Sequence, residues 1–95
     1  MTAHYVYMLA SKPGGTIYVG ETRDLAKRVS QHKGDFVPGF TRRYGVHSLV
    51  WYEVHESVES AKLREKQIKR WRRAWKIRLL QTMNPSWSDL WDSIH

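Results

Sequence analysis

The chain has 95 residues, no cysteine, five tryptophans, five tyrosines and a formal net charge of +7 at pH 7. The lack of cysteine excludes disulfides, thiolate catalysis and cysteine-ligated zinc, and no apolar run reaches the roughly 18 residues that a membrane span needs. We therefore expect one cytoplasmic domain over residues 1–95, whose positive charge attracts polyanions such as nucleic acid.

The first two elements are predicted to form a β-hairpin. Residues 4–10 (HYVYMLA) and 16–21 (TIYVGE) carry aromatic and β-branched side chains at alternating positions, and a Pro-Gly-Gly turn separates them. Antiparallel pairing would bring Tyr7 and Tyr18 side by side on one face of the sheet. Gly20 has the same parity as Tyr18, which predicts a bare patch where a ligand or backbone can approach closely.

A first helix is predicted to begin at a cap on Thr22 or Asp24 and to end at Gly34. Arg28 and His32 are one helical turn apart and should project from the same face of that helix. The two tyrosines of the hairpin can then converge with this arginine and histidine on one hollow.

Residues 34–47 show no hydrophobic period and are predicted to be a loop. A loop of this length in a small domain is often functional. Here Thr41, Arg42 and Arg43 could reach phosphate groups, and Tyr44 could stack on a base. An ordinary surface crossover explains the segment equally well.

The remaining elements are predicted to be one strand and several helices. Residues 48–55 (SLVWYEVH) form an almost continuous apolar run, which favours a strand at the centre of the sheet. Residues 57–83 are helical, in one or two pieces, and Ser86 with Asp89 resembles a capping box that opens a last helix. One arc of the long helix holds Ala61, Ile68, Trp71, Trp75 and Leu79. The expected fold is of the α/β (α+β) type, with a three-stranded antiparallel sheet flanked by helices.

The long helix carries most of the positive charge of the chain. Nine of the 16 basic residues lie between residues 62 and 78, where the only acid is Glu65. A face of like charges repels itself, which favours an anionic partner. Glu65 also fits a purely structural role as the i,i+4 partner of Lys69. The basic residues predicted to bind nucleic acid are Arg42, Arg43, Lys62, Lys66, Lys69, Arg70 and Arg73.

The order of these motifs resembles the GIY-YIG nuclease family. The chain reads YVY in its first strand, YVG in the second, and then an arginine and a histidine one helical turn apart. Glu65 within REKQIKRW and Asn84 within MNPSW stand where that family has its acidic and amide residues. Tyr5 replaces the first glycine of the family name, and valine replaces the central isoleucine of both triplets. The similarity is greatest to small stand-alone bacterial members, which are distant relatives of the catalytic domain of a bacterial excinuclease.

The resemblance implies a metal-dependent endonuclease, structure-selective or weakly sequence-specific, with a role in DNA repair or recombination. Glu65 would bind a divalent metal, Mg²⁺ or Mn²⁺, and Arg28 would bind the phosphate through its guanidinium. Tyr7 is the family's candidate general base, although His32 could take the proton instead, and Asn84 would hold a site residue through its amide. The implied catalytic residues are Tyr7, Tyr18, Arg28, His32, Glu65 and Asn84.

The expected partner is DNA, with RNA also compatible. No accessory DNA-binding domain is evident, so a recruiting protein or a homodimer would have to supply affinity and specificity. Two other functions fit the same sequence. One is a catalytically weak or inactive nucleic-acid-binding module of the same fold, and the other is a protein-interaction module that uses the aromatic surface.

Overall fold

The computed structural model describes residues 3–36 and 39–95, in which three strands form one antiparallel sheet with helices on both faces. The elements are β1 (His4–Ala10), β2 (Ile17–Thr22), α1 (Leu25–Lys33), α2 (Phe40–Tyr44), β3 (Ser48–His55), α3 (Val58–Lys69), α4 (Arg73–Met83) and α5 (Trp91–Ile94). This architecture confirms the predicted fold class. Within the two described ranges, no helix is long and apolar enough to cross a membrane.

The strand order is β2-β1-β3, so β1 is the central strand and the prediction of a central β3 is wrong. The apolar run of β3 has another cause, because helices cover both faces of the sheet. Leu49 is buried on one face and Trp51 on the other. A register shift between Met8 and Leu9 of β1 brings Val50 into the same core as Trp51.

The two faces of the sheet have separate cores. We call them the α3 face and the α1 face, after the main helix packed on each. The buried residues of the α3 face are Val6, Met8, Ala10, Val19, Val50, Trp51, Ala61, Ile68, Leu80 and Trp87. Those of the α1 face are Tyr7, Leu9, Leu25, Val29, Val46 and Leu49. The predicted alternation along β1 is therefore confirmed, and both tyrosines of the motif lie on the α1 face, with Tyr18 partly buried there.

Helix α1 begins as the sequence predicts. The Asp24 side chain accepts a hydrogen bond from the backbone N–H of Lys27 at 3.1 Å, which satisfies one of the unpaired donors of the first turn. Leu25 and Val29 are buried against the sheet, and His32 follows on the same stripe one turn later. The helix thus turns His32 towards the hairpin tyrosines.

The segment predicted to be a loop contains the short helix α2, so that prediction is wrong for Phe40–Tyr44. Gly45 closes the helix in a left-handed conformation with φ of 63°. Five residues are too few to show a helical period, which explains why the sequence pattern does not reveal this helix. Residues 37 and 38 of the predicted loop lie outside the described residues.

The long helical region consists of two helices, which is one of the two predicted alternatives. Of the predicted apolar arc, all but Trp75 pack in the core of the α3 face: Ala61, Ile68, Trp71 and Leu79. Ile68 is buried on α3, whereas Trp75 of α4 is 50% exposed and Leu80 is the buried residue of α4. The helix is interrupted at residues 70–72, so the helical periodicity counted along α3 does not predict which residues of α4 are buried.

The predicted capping box is also wrong. Trp87 lies outside any helix, has a positive φ of 59° and is buried on the α3 face. The Ser86 hydroxyl pairs with that of Ser88, and Asp89 Oδ1 accepts from the N–H of Trp91, where α5 begins. The C-terminal segment is therefore held by Asp89, not by a pair of reciprocal caps.

Candidate active site

Tyr7 and Gly20 are direct partners in the β1–β2 register, while Tyr18 lies opposite Leu9. The two tyrosines are thus diagonal neighbours, with ring centroids 6.3 Å apart. The space above Gly20 is filled by Tyr7, because a Cβ at position 20 would stand 2.5 Å from the Tyr7 hydroxyl oxygen. The glycine is needed to admit the phenol of Tyr7, so the expectation of a bare patch for a ligand is wrong.

A chain of hydrogen bonds links Tyr7, His32 and Thr41. The Tyr7 hydroxyl lies 3.3 Å from Nε2 of His32, and Nδ1 of the same imidazole lies 2.9 Å from the Thr41 hydroxyl. All three side chains are buried. Thr41 is only 3% exposed, so the prediction that it reaches a phosphate group is wrong. Its partner is the histidine, a contact that nothing in the sequence spacing signals.

Burial controls the protonation of this chain. It raises the pKa of the Tyr7 phenol above its ordinary value, and the neighbouring Tyr18, Glu65 and Glu21 raise it further against the opposing effect of Arg28. The charge of Arg28 therefore does not bring the pKa of Tyr7 below the ordinary value of a phenol. Burial, together with the charge of Arg28, lowers the pKa of His32, so its imidazole is neutral at pH 7.

Tyr18 lies on the more solvent-exposed side of the group formed by Tyr7, His32 and Thr41. Its ring is half-buried and lies 5.4 Å from the His32 ring and 6.2 Å from the Phe40 ring, centroid to centroid. The ammonium group of Lys69 lies 5.9 Å from the centroid of the Tyr18 ring. Tyr18 thus connects the buried chain of hydrogen bonds to α2 on one side and to α3 on the other.

Glu65 reaches this region from α3, which packs on the other face of the sheet. Because β2 is an edge strand, side chains of α3 can pass around it. The Glu65 carboxylate lies close enough for its charge to raise the pKa of Tyr7, and it forms an ion pair with Lys69 at 3.4 Å. The predicted i,i+4 pair is therefore present, and Lys69 links the carboxylate to the ring of Tyr18.

The donors around Glu65 fit a metal that takes most of its ligands from substrate and water. The described residues contain no group of three or more His, Cys, Asp or Glu side chains that could hold a metal ion. A single carboxylate with phosphate oxygens and retained waters is a normal arrangement for Mg²⁺. The residues therefore fit a weakly held Mg²⁺ or Mn²⁺ and do not form a cage made of protein ligands alone.

Arg28 borders a surface cleft at the end of β2 that also contains Glu21 and Lys62. The arginine is half-buried and affects both partners of the hydrogen-bonded pair, since it opposes the rise in the pKa of Tyr7 and lowers that of His32. Sequence reasoning missed Glu21, whose position next to the YVG triplet could have indicated a second carboxylate near the site.

Among the described residues, the amide of Asn84 contacts Val50 and Ser88 and none of the other candidate catalytic residues. The expectation that it holds another candidate residue is therefore wrong. Its Nδ2 donates to the carbonyl of Val50 at 3.1 Å and to that of Ser88 at 2.7 Å, and its Oδ1 accepts from the N–H of Ser88 at 3.1 Å. Asn84 is buried and ends α4. Its amide fastens the C-terminal segment to β3.

The predicted nucleic-acid contacts fall into two regions with one departure. Arg42 and Arg43 are exposed on α2. Four further residues are exposed along α3 and at its end: Lys62, Lys66, Lys69 and Arg70. Arg73 is exposed, but its guanidinium donates to the carbonyls of Gly14 and Gly15, each at 2.7 Å, and so ties α4 to the hairpin turn.

Known proteins resemble the chain over most of its length. It is 34% identical over 79 residues to the UPF0213 protein of Clostridium perfringens, covering 83% of this chain and 84% of that protein. It is 34% identical over 82 residues to that of Staphylococcus aureus, covering 85% and 98%. The solution NMR structure of the UPF0213 protein of Bacillus halodurans matches with a TM-score of 0.57 and 29% identity over 92% of both chains. The GIY-YIG catalytic domain model matches residues 3–78, and the chain therefore belongs to the GIY-YIG family.

Proposed function

We propose that the protein is a divalent-metal-dependent endonuclease that hydrolyses phosphodiester bonds of DNA. Membership of the GIY-YIG family supports a nuclease-type function. The observation that carries the proposal is the meeting of Tyr7 and Tyr18 with the buried His32, at a place where the charges of Arg28 and Glu65 both act on the pKa of Tyr7. Phenol, imidazole, guanidinium and carboxylate together supply the groups that phosphoryl transfer to water requires.

The phosphate would lie between Arg28 and Glu65. The guanidinium of Arg28 matches two phosphate oxygens and keeps its charge at any working pH. Glu65 would hold Mg²⁺ or Mn²⁺, which when bound neutralises charge on the phosphate and stabilises the leaving 3′-oxygen. The Tyr18 hydroxyl, at the open side of the group, would position the phosphate or the attacking water.

Tyr7 and His32 would move the proton together. A phenol with a raised pKa is a poor base by itself, but a relay avoids the phenolate, because Tyr7 takes the water proton as its own proton passes to Nε2 of His32. The relay requires the tautomer of His32 that carries its proton on Nδ1 and donates it to Thr41. The lowered pKa of His32 keeps the imidazole neutral and able to accept.

Water would displace the 3′-oxygen from phosphorus in a single step. The water oxygen bonds to phosphorus, the bond from phosphorus to the 3′-oxygen breaks, and the leaving oxygen takes a proton from solvent. His32 returns its proton to solvent before the next cycle. The products are a 5′-phosphate and a 3′-hydroxyl.

The exposed basic residues of α2 and α3 would lie along the nucleic-acid backbone and read its charge. Such contacts carry no sequence information, so we propose structure-selective or weakly sequence-specific cleavage of DNA, with RNA as a second candidate substrate. A recruiting protein or a homodimer would add specificity. A cytoplasmic role in repair or recombination is consistent with this chemistry.

One observation favours a second function, a nucleic-acid-binding module without catalysis. Lys69 pairs with Oε1 of Glu65 at 3.4 Å, so a metal that takes this oxygen must displace the ammonium group. An enzyme must overcome this competition, whereas a binding module keeps the pair.

A plasmid-nicking assay with Mg²⁺ or Mn²⁺ separates the two functions. Tyr7→Phe and Glu65→Gln should each reduce nicking by at least about 100-fold, the usual contribution of one catalytic group. Tyr52→Phe and Glu59→Gln are matched controls, because Tyr52 lies opposite Tyr7 on β3 and Glu59 is an exposed acid of α3. Equal nicking by wild type and all four variants would mean a contaminating nuclease, and the binding module would then be the better account.

A further inference from the structure

Helix α2 has one face in the candidate active site and another open to solvent. Thr41 is buried against His32, while Phe40 and Tyr44, one turn apart, are 45% and 48% exposed. An exposed pair of large aromatic rings on a helix of five residues contributes little to the core. Thr41 nevertheless fixes the position of both rings relative to the reacting groups.

The exposed rings continue the aromatic group of the active site. Phe40 lies 6.2 Å from Tyr18 and 4.8 Å from Tyr44, measured between ring centroids. Together with the contact between Tyr18 and His32 this makes an unbroken series of rings from the proton relay to the protein surface. We call Phe40 and Tyr44 the aromatic step.

The aromatic step borders an open hollow with a positive rim. The hollow has a volume of about 680 Å³ and is lined by Gly39, Phe40, Arg42, Arg43 and Tyr44. That volume lies in the range of roughly 300–1,000 Å³ that small ligands occupy, which is room for a nucleotide. The sequence of α2, FTRRY, contains no acid, and among the described residues neither Arg42 nor Arg43 takes part in a salt bridge.

The hollow fits a ligand that is both planar and anionic. Aromatic rings bind the faces of nucleobases, and arginines bind the phosphates on either side. The guanidinium of Arg43 already lies 5.5 Å from the centroid of the Tyr44 ring, which leaves the Phe40 side of the step as the better place for a base. In a paired duplex the faces of the bases are covered by their neighbours, so only an unpaired base can stack there.

We propose that the aromatic step is a stacking subsite for an unpaired DNA base next to the scissile phosphate, with Arg42 and Arg43 holding the adjoining phosphates. The inference rests on the proposed nuclease function for the position of the scissile bond, but the stacking itself requires no catalysis. It deepens that function by naming the substrate class, which is DNA with an unpaired nucleotide at the site of cleavage.

Binding to a non-cleaving variant tests the subsite apart from catalysis. In the Glu65→Gln protein, Phe40→Leu and Tyr44→Leu keep apolar bulk but remove the ring, and Phe40→Trp restores a ring. The probe is a single-stranded DNA oligonucleotide of about 12 nucleotides, within the size range of such sites, with one 2-aminopurine whose fluorescence falls on stacking. We expect about tenfold weaker binding and loss of quenching with Phe40→Leu, a smaller loss with Tyr44→Leu, and wild-type behaviour with Phe40→Trp.

Two controls make the result decisive. Trp75→Leu removes a ring of matching exposure (50%) on α4, across the sheet, and should leave binding and quenching unchanged. A fully paired duplex of the same sequence should bind wild type and Phe40→Leu equally. Unchanged single-strand binding by Phe40→Leu, or an equal loss on the duplex, would overturn the subsite. Either result would leave the outcome of the nicking assay unaffected, so the two proposals fail independently.

Discussion

The ring of Tyr7 occupies the space that a side chain at Gly20 would fill. The two residues face each other across β1 and β2, and a Cβ on Gly20 would meet the Tyr7 hydroxyl oxygen at 2.5 Å. Gly20→Ala should therefore displace the phenol and lower the free energy of unfolding by about 1–3 kcal/mol, the usual cost of overpacking. Nicking should fall by more than stability alone explains, because the tyrosine leaves His32. Chemical denaturation and single-turnover nicking measure the two effects.

A double-mutant cycle isolates that contact. In a Tyr7→Ala background the colliding ring is absent, so Gly20→Ala should cost much less in stability than it does in the wild type. Equal costs in both backgrounds would mean that the glycine is required for another reason, such as the Tyr18 ring, whose nearest atom lies 3.0 Å from the same Cβ position.

Thr41→Val should disable the relay while keeping the shape of the side chain. The change leaves Nδ1 of His32 without its partner at 2.9 Å, which costs about 1–3 kcal/mol for a buried polar group. If Thr41 accepts the Nδ1 proton, it favours the charged imidazole, so its loss should lower the pKa of His32 further. The acid limb of the nicking rate should then move to lower pH, with a lower maximum rate.

Thr41→Ser is the matched control, because it keeps the hydroxyl and should restore both the rate and the pH profile. A shift of the acid limb of Thr41→Val to higher pH would mean that Thr41 donates to Nδ1. In that tautomer the Nε2 atom carries the proton and cannot accept from Tyr7, so the relay would be wrong.

The sheet and its first helix can be predicted because each is signalled by local chemistry. Alternation in HYVYMLA identifies β1 and its faces, and Asp24 supplies a cap where the pattern of α1 begins. The order of the strands, by contrast, cannot be predicted from the apolar pattern of a strand. An apolar strand is expected whenever both faces of the sheet are covered, and SLVWYEVH satisfies that condition at the edge of the sheet.

The parts of the site that the sequence does not reveal depend on contacts between distant segments. Thr41 pairs with His32 because α2 folds back over the end of α1, and a five-residue helix leaves no periodic signal. The family motif groups Asn84 with the candidate catalytic residues, yet its amide contacts are with the backbone of Val50 and Ser88. A motif identifies which residues matter without showing what each side chain contacts.

Asn84→Ala should lower the free energy of unfolding but change the nicking rate little. It removes the hydrogen bonds of the side-chain amide to the buried carbonyl of Val50 and to the part-buried backbone of Ser88, so the free energy of unfolding should fall by about 1–3 kcal/mol. Nicking measured well below the melting temperature should remain within a few-fold of wild type. Glu65→Gln provides the contrast, since it should lose nicking without a comparable loss of stability. A large loss of nicking by a fully folded Asn84→Ala protein would instead place Asn84 in the catalytic machinery.

The pH dependence of stability should show two separate limbs. Burial and Arg28 lower the pKa of folded His32 below its ordinary 6.5, so the unfolded chain takes up a proton first, and stability should fall as the pH drops below about 6.5. Burial raises the pKa of folded Tyr7, so the unfolded phenol ionises first, and stability should fall as the pH rises above about 10. Urea denaturation across this range measures both limbs. Tyr7→Phe should flatten the alkaline limb and His32→Gln the acid limb, whereas His95→Gln, which removes an exposed imidazole, should preserve both. An acid limb that survives His32→Gln unchanged would show that another group governs it.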